Sequence, residues 1–272
     1  MVSQVLVVEG NPPEFVLAAK RSAGATPARR LVDAVRGIDP AVRVATANPF
    51  FSDHDPDAID FAATDGMAVT ASAFSMAADD PSLELLSGMF ARAFDAGVPV
   101  IATGAAMLVG ACCLGAAIAR CPDDPITGIA RAIRPAGHPM TKGRYEAFDA
   151  LTLSRNIIAD LPDGSAPTAS SDGCSVAALA CARDGVEFWG MSYQPEATLA
   201  DLAFWLGPQH PVWPGQSTAL ARDLRLIGDD PAAYARLSAK HRIGLDLLDR
   251  RYRVTELTNW LSGPVRRHSR SS

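Results

Sequence analysis

Residues Gly97–Leu108 read GVPVIATGAAML, and this stretch decides the fold. Val98–Ala102 is a short apolar run, the pattern of a strand buried on both faces. Thr103 and Gly104 follow as a tight turn, and an apolar helix is expected from about Ala105 to Ala119. Strand, turn and helix in immediate succession form the unit of a parallel sheet covered on both sides. Ligands bind such sheets beyond the carboxyl ends of the strands, so chemistry is expected at the turn from Ala102 to Ala105. The sequence puts a glycine there.

Upstream, Gln4–Glu9 (QVLVVE) is an apolar run closed by Gly10, Asn11, Pro12 and Pro13, a buried strand feeding a loop. Val42–Ala45 is a second candidate strand. The segment ARRLVDAVR, from Ala28 to Arg36, reads as an amphipathic helix with a wet basic side. Asp65 and Gly66 precede a strand at MAVT, and Pro81–Ala96 carries Leu83, Leu85, Leu86, Met89, Phe90 and Phe94 at helical spacing. Downstream, between Ile126 and Met191, the runs ITGIARAI, FDALTL, SVAALACA and EFWGMS alternate with the turn clusters HPMTKG, LPDGSAP and SSDG, the pattern of hairpins laid beside the main sheet. The expected organisation is a main domain over 1–207, a linker over 208–214 (PQHPVWP from Pro208), a helical extension over 215–263 and a tail without order over 264–272. Trp205, Trp213, Tyr252 and Trp260 are expected to pack this extension onto the main domain.

The chain has 272 residues, 48% hydrophobic and 20% charged, enough to bury a full core. A formal net charge of −5 gives no electrostatic reason to expect nucleic acid or an anionic membrane surface as partner. No apolar run approaches the roughly 18 residues of a membrane span, and MVSQVLVVEG does not read as a signal peptide, so a cytoplasmic protein is expected. The five cysteines, Cys112, Cys113, Cys121, Cys174 and Cys181, lack CxxC spacing and read as buried thiols. Neither a metal nor a cofactor is expected. No GxGxxG, P-loop or GxSxG is present.

Three stretches resemble the class I glutamine amidotransferases, specifically the stand-alone proteins similar to the glutaminase part of GMP synthase. DGMAVTASAFS (Asp65 to Ser75) resembles their oxyanion-loop strand, GVPVIATGAAML their nucleophile elbow, and FWGMSYQPE (Phe188 to Glu196) their FWG-x-Q-Y-H-P-E segment. HPMTKG, FDALTL, LPDG and the helical tail extend the likeness over nearly the whole chain. The resemblance implies a flavodoxin-like, mostly parallel α/β sheet flanked by helices, with added β-hairpins and a C-terminal helical extension.

In that family a cysteine in the elbow attacks glutamine, a histidine is its base and a glutamate orients the histidine. The resemblance puts Gly104 at the cysteine position and Gln194 at the histidine position, and retains Glu196. Glycine has no nucleophile and glutamine cannot accept a proton near neutral pH, so no glutaminase chemistry is expected. The positions that handle glutamine have also changed, to Ala105, Ala106, Met107 and Leu108 after the elbow, Ala71 in the oxyanion loop, Ser154, Arg155 and Asn156, and Ala177.

Two functional readings follow. In the first, the chain binds a small molecule in the old pocket or pairs with a protein such as a synthetase or an active amidotransferase; a homodimer is compatible with either. In the second, an emptied pocket hosts another reaction in a specialised biosynthetic pathway, with Ser72, Thr103, Ser154, Asn156, Gln194 and Glu196 as its polar groups; Tyr193 is a candidate pocket residue that would contact a ligand together with Gln194 and Glu196. Against these stand plainer roles: Thr103 as a turn or cap, Glu196 as a cap of the next helix, His138 as a hairpin residue and His54 in a solvated loop. Cys112 and Cys113, about 12 Å along the elbow helix at roughly 1.5 Å per residue, are expected in the core.

Overall fold

Strand β1 (Gln4–Glu9) is flanked by two parallel partners, β2 (Arg43–Ala47) and β3 (Gly66–Ala71), and β3 pairs in turn with β4 (Val100–Gly104). The computed structural model describes residues 3–51, 58–71, 76, 81–121, 126–208, 210, 217–229 and 231–271. His54, Ser72 and most of the expected linker, Trp213 included, lie outside the described residues. Every residue of β3 and β4 is buried, as apolar runs without alternation require.

Helix α1 (Pro13–Ala23) starts with proline, and α2 (Pro27–Ile38) is capped by the Thr26 hydroxyl, which accepts from the Arg29 amide. The apolar stripe of α2, Leu31, Val32 and Val35, faces the sheet, while Arg29 and Arg36 are exposed, as the amphipathic pattern implies. Helices α3 (Pro81–Asp95) and α4 (Ala105–Cys113) cover the opposite face.

The elbow helix is shorter than expected. Leu114 closes it, Gly115 takes φ 100°, and Ala117–Arg120 becomes strand β5, where helix was expected as far as Ala119. The early stop brings the C-terminal turn of α4 to the surface, so Cys112 and Cys113 are exposed; the three other thiols are buried.

The hairpin strands are not a separate layer. They are β6 (Ile126–Pro135), β7 (Phe148–Ser154), β9 (Ser165–Ser171), β10 (Cys174–Arg183) and β11 (Val186–Met191), with β8 (Asn156–Asp160) pairing to β5. They continue the main sheet into nine strands ordered β2-β1-β3-β4-β11-β10-β9-β6-β7. The sheet curls until its last strand meets the chain beyond β11: Thr152 bridges Tyr193, and the Gln194 amide donates to Leu151 O at 2.8 Å.

Helix α5 (Leu199–Trp205) opens with a reciprocal cap between Thr198 and Asp201, then come α6 (Thr218–Asp229), α7 (Pro231–His241), α8 (Leu245–Leu248), α9 (Arg250–Arg253) and α10 (Thr255–Trp260). These helices share cores with the main domain. Trp205 packs with Phe15 and Phe204, and Trp260, fully buried, lies against Gly66, where a Cβ would meet its indole at 2.9 Å. A π-turn at Leu261–Val265 leads into α11 (Arg266–Ser271), so the segment expected without order is helical as far as residue 271.

The extension is clamped by a buried ion pair. Arg144 donates from Nε to Glu256 Oε1 at 2.8 Å, with the two side chains 2% and 0% exposed, and the Tyr193 hydroxyl donates to the same carboxylate at 2.9 Å.

Candidate functional site

The β3–β4 register sets Thr70 beside Thr103 and Ala71 beside Gly104 at the carboxyl edge of the sheet. Gly104 has φ 62° and ψ −134°, a sharp strand-to-helix turn that glycine adopts freely and other residues only under strain. A Cβ built there would collide with the Ala71 carbonyl oxygen, and would lie 3.2 Å from Gln194 Nε2. The space where an elbow side chain would project is closed by backbone on one side and by the Gln194 amide on the other. Gln194 is 2% exposed.

Glu196 is buried beside them. Its Oε1 accepts from the Thr70 hydroxyl at 2.7 Å and the Thr103 hydroxyl at 2.8 Å, while Oε2 has no hydrogen-bond partner among the described residues. Burial pushes its pKa up, and the two hydroxyls oppose that shift. Glu196 therefore does not cap the next helix, which Thr198 and Asp201 cap between themselves, and Thr103 is neither a cap nor aimed at open space.

A second carboxyl ends β1. Glu9 is pushed up to about 7 by burial, despite bonds from the Ala28 amide at 2.8 Å and from Asn11 Nδ2 at 2.6 Å. The charge of Glu196 adds to the rise. Sequence reasoning missed Glu9 and Thr70, although an acid closing the first strand of a parallel sheet is a readable signal for this edge.

Several expected site residues fall elsewhere. Tyr193 turns away: it is fully buried, its ring meets Phe148 edge-on at 5.6 Å, and its hydroxyl serves Glu256. Neighbouring positions in extended chain point to opposite sides, so Tyr193 and Gln194 cannot both face the elbow. Ser154 and Asn156 do come together, but to close a local turn in which the Ser154 hydroxyl donates to Asn156 O at 2.7 Å. With Met107, Thr152, Ala177 and Ser192 they line a small cavity of about 20 Å³. One water needs about 10–15 Å³ of such space, so there is room for about one water and not for a metabolite. Ala105 is buried at the start of α4.

His138 is structural, its Nδ1 accepting from the Met140 amide at 3.0 Å and its ring meeting Trp189 edge-on. Among the described residues no group of three His, Cys, Asp or Glu side chains could hold a metal, and no helix is long and apolar enough to cross a membrane.

Comparison with known proteins bears on the architecture. No family model and no curated protein sequence matches the chain at a significant level. Solved structures do. A glutamine amidotransferase from Thermotoga maritima matches with TM-score 0.64 at 12% identity over 97% of this chain and 99% of its own. One from Methylobacillus flagellatus matches with TM-score 0.65 at 16% identity over 97% and 96%. A putative GMP synthase subunit from Thermoplasma acidophilum matches with TM-score 0.53 at 15% identity over 85% and 99%. The fold is that of the class I glutamine amidotransferases. At these identities the likeness is one of fold, and activity has to be argued from this chain's own residues.

Proposed function

We propose that this chain is a catalytically degenerate, GMP synthase-like amidotransferase homologue, cytoplasmic, without glutaminase activity, that acts by binding. The observation that carries the reading is the elbow itself. Its glycine has no nucleophile, the Ala71 carbonyl and the Gln194 amide fill the position a side chain would need, and the retained Glu196 serves two threonines. The cavity of about 20 Å³ at the former glutamine-handling positions favours a protein partner, such as a synthetase or an active amidotransferase, over a metabolite in the old pocket.

The test is ammonia release from millimolar glutamine by the purified protein, alongside affinity purification from the native host. The reading expects no ammonia above the uncatalysed background and a stoichiometric protein partner. Saturable ammonia release would overturn it.

A second reading, a repurposed enzyme in a biosynthetic pathway, is favoured by one observation: the two buried carboxyls Glu9 and Glu196 lie at the strand ends where chemistry sits in such folds. Under that reading Glu196→Gln abolishes the native phenotype while leaving the protein folded. Under the binding reading it changes stability alone.

A further inference from the structure

The opposite edge of the sheet carries a cleft that neither reading uses. It lies beside Ser3, just before β1, between the turn joining α2 to β2 and the C-terminal α11. Two connected hollows of about 380 Å³ and about 280 Å³ share Ser3, Asp39, Val42 and Arg266. The larger hollow falls in the roughly 300–1,000 Å³ range of small-molecule sites, and the smaller lies just below it.

The floor is apolar, made by Ile38, Val42, Leu261 and Val265. The rim is cationic. Arg266 and Arg270 line the cleft, Arg36 and Arg43 are exposed close by in sequence to the residues of its wall, and Asp39 is the one carboxylate among the lining residues. Arg266 reaches Asp39 only at 3.8 Å, and Asp39 Oδ1 already accepts from the Ala41 amide at 3.0 Å. Among the described residues neither Arg270 nor Arg43 is paired with a carboxylate. In a chain with a net charge of −5 this is a local inversion of sign. Beside the arginines, the Ser3 and Ser269 hydroxyls lie 3.3 Å apart. Their mutual bond uses one hydroxyl hydrogen and leaves the other to donate to a ligand.

We infer that this cleft binds a soluble phosphorylated small molecule, with phosphate oxygens on Arg266, Arg270 and the serine pair and an apolar portion over Val42 and Leu261. Guanidinium forks match a phosphate's several oxygens, and the count of donors exceeds what a single carboxylate accepts. The site is independent of the elbow, which lies at the other end of the parallel strands.

Phenyl phosphate is the probe, followed by titration calorimetry and by the melting temperature of the full chain, with phenol and benzoate as comparisons and phosphatidic-acid vesicles as a lipid arm. The inference expects saturable binding of phenyl phosphate, stronger than benzoate, weaker at high salt, with no response to phenol. Arg270→Gln, which removes an exposed side chain without a carboxylate partner among the described residues, and Arg266→Gln/Arg270→Gln weaken binding at least about tenfold while the unliganded melting temperature stays at the wild-type value. Arg251→Gln, exposed on another element, leaves binding unchanged. Absence of binding at millimolar probe, equal affinity for benzoate, affinity insensitive to both arginine variants, or capture of vesicles without soluble phosphate overturns the inference.

Discussion

Placing a methyl group at position 104 probes the closed elbow directly. Gly104→Ala asks a side chain to sit at φ 62°, ψ −134°, which costs roughly 1–3 kcal/mol in backbone strain alone. The new Cβ also meets the Ala71 carbonyl, a backbone atom that moves only with β3, and overpacking of this kind adds about 1–3 kcal/mol. The sum is about 2–6 kcal/mol, and at roughly 2–4 °C per kcal/mol for a chain of this size the melting temperature falls on the order of 10 °C. Gly104→Cys falls by a similar amount because the same Cβ makes the collision. Adding Ala71→Gly, which frees the end of β3 to shift, recovers part of the loss. Thermal unfolding followed by circular dichroism on the variants reads all of this. Melting of Gly104→Ala within about 2 °C of wild type, less than about 1 kcal/mol, would refute the claim that the elbow is closed.

Glu9 sets a pH dependence. Its folded pKa, about 7, lies above the ordinary value of 4.5, so the folded state binds the proton more tightly. Its contribution is favourable below the unfolded value and is lost as pH rises from near 4.5 through about 7, a change of about 3 kcal/mol if Glu9 titrates alone. Stability in urea should therefore fall across that window, and Glu9→Gln should flatten the fall. Removing one partner of the buried clamp, Glu256→Gln, leaves Arg144 uncompensated and costs about 3–5 kcal/mol, a loss of roughly 6–20 °C in melting temperature. Arg144→Met/Glu256→Leu should recover much of that loss, because no buried charge is left unpaired. In thiol titration of the native protein, the exposed Cys112 and Cys113 react first, and Cys121, Cys174 and Cys181 react only on unfolding.

The sequence was most legible where one local signal settles the structure. Apolar runs closed by turn residues marked β1, β3, β4 and the hairpin strands, and helical spacing marked α2 and α3. It was less legible where tertiary pairing decides. Ala117–Arg120 continues an apolar run that reads as helix, yet Gly115 breaks it and pairing with β8 makes it a strand. The π-turn and α11 depend on Trp260 and Val265 fitting over Gly66, a contact across about two hundred positions that no local pattern records. At the site, the resemblance pointed to Gly104 and Gln194, and the structure sets the two beside each other. The orientation of Tyr193 was not readable, because it follows from which side of the extended chain beyond β11 faces the elbow. Glu9 and Thr70 were readable in principle, through strand ends and the β3–β4 register.

Whether position 104 supports chemistry separates a binding protein from a glutaminase. The deciding experiment incubates the purified chain with glutamine and, separately, with a diazoketone analogue of glutamine, reading ammonia enzymatically and any covalent adduct by intact mass. A closed elbow without a nucleophile gives ammonia at the uncatalysed background and an unchanged mass. Saturable ammonia release, or stoichiometric labelling at a residue of the elbow, would contradict it.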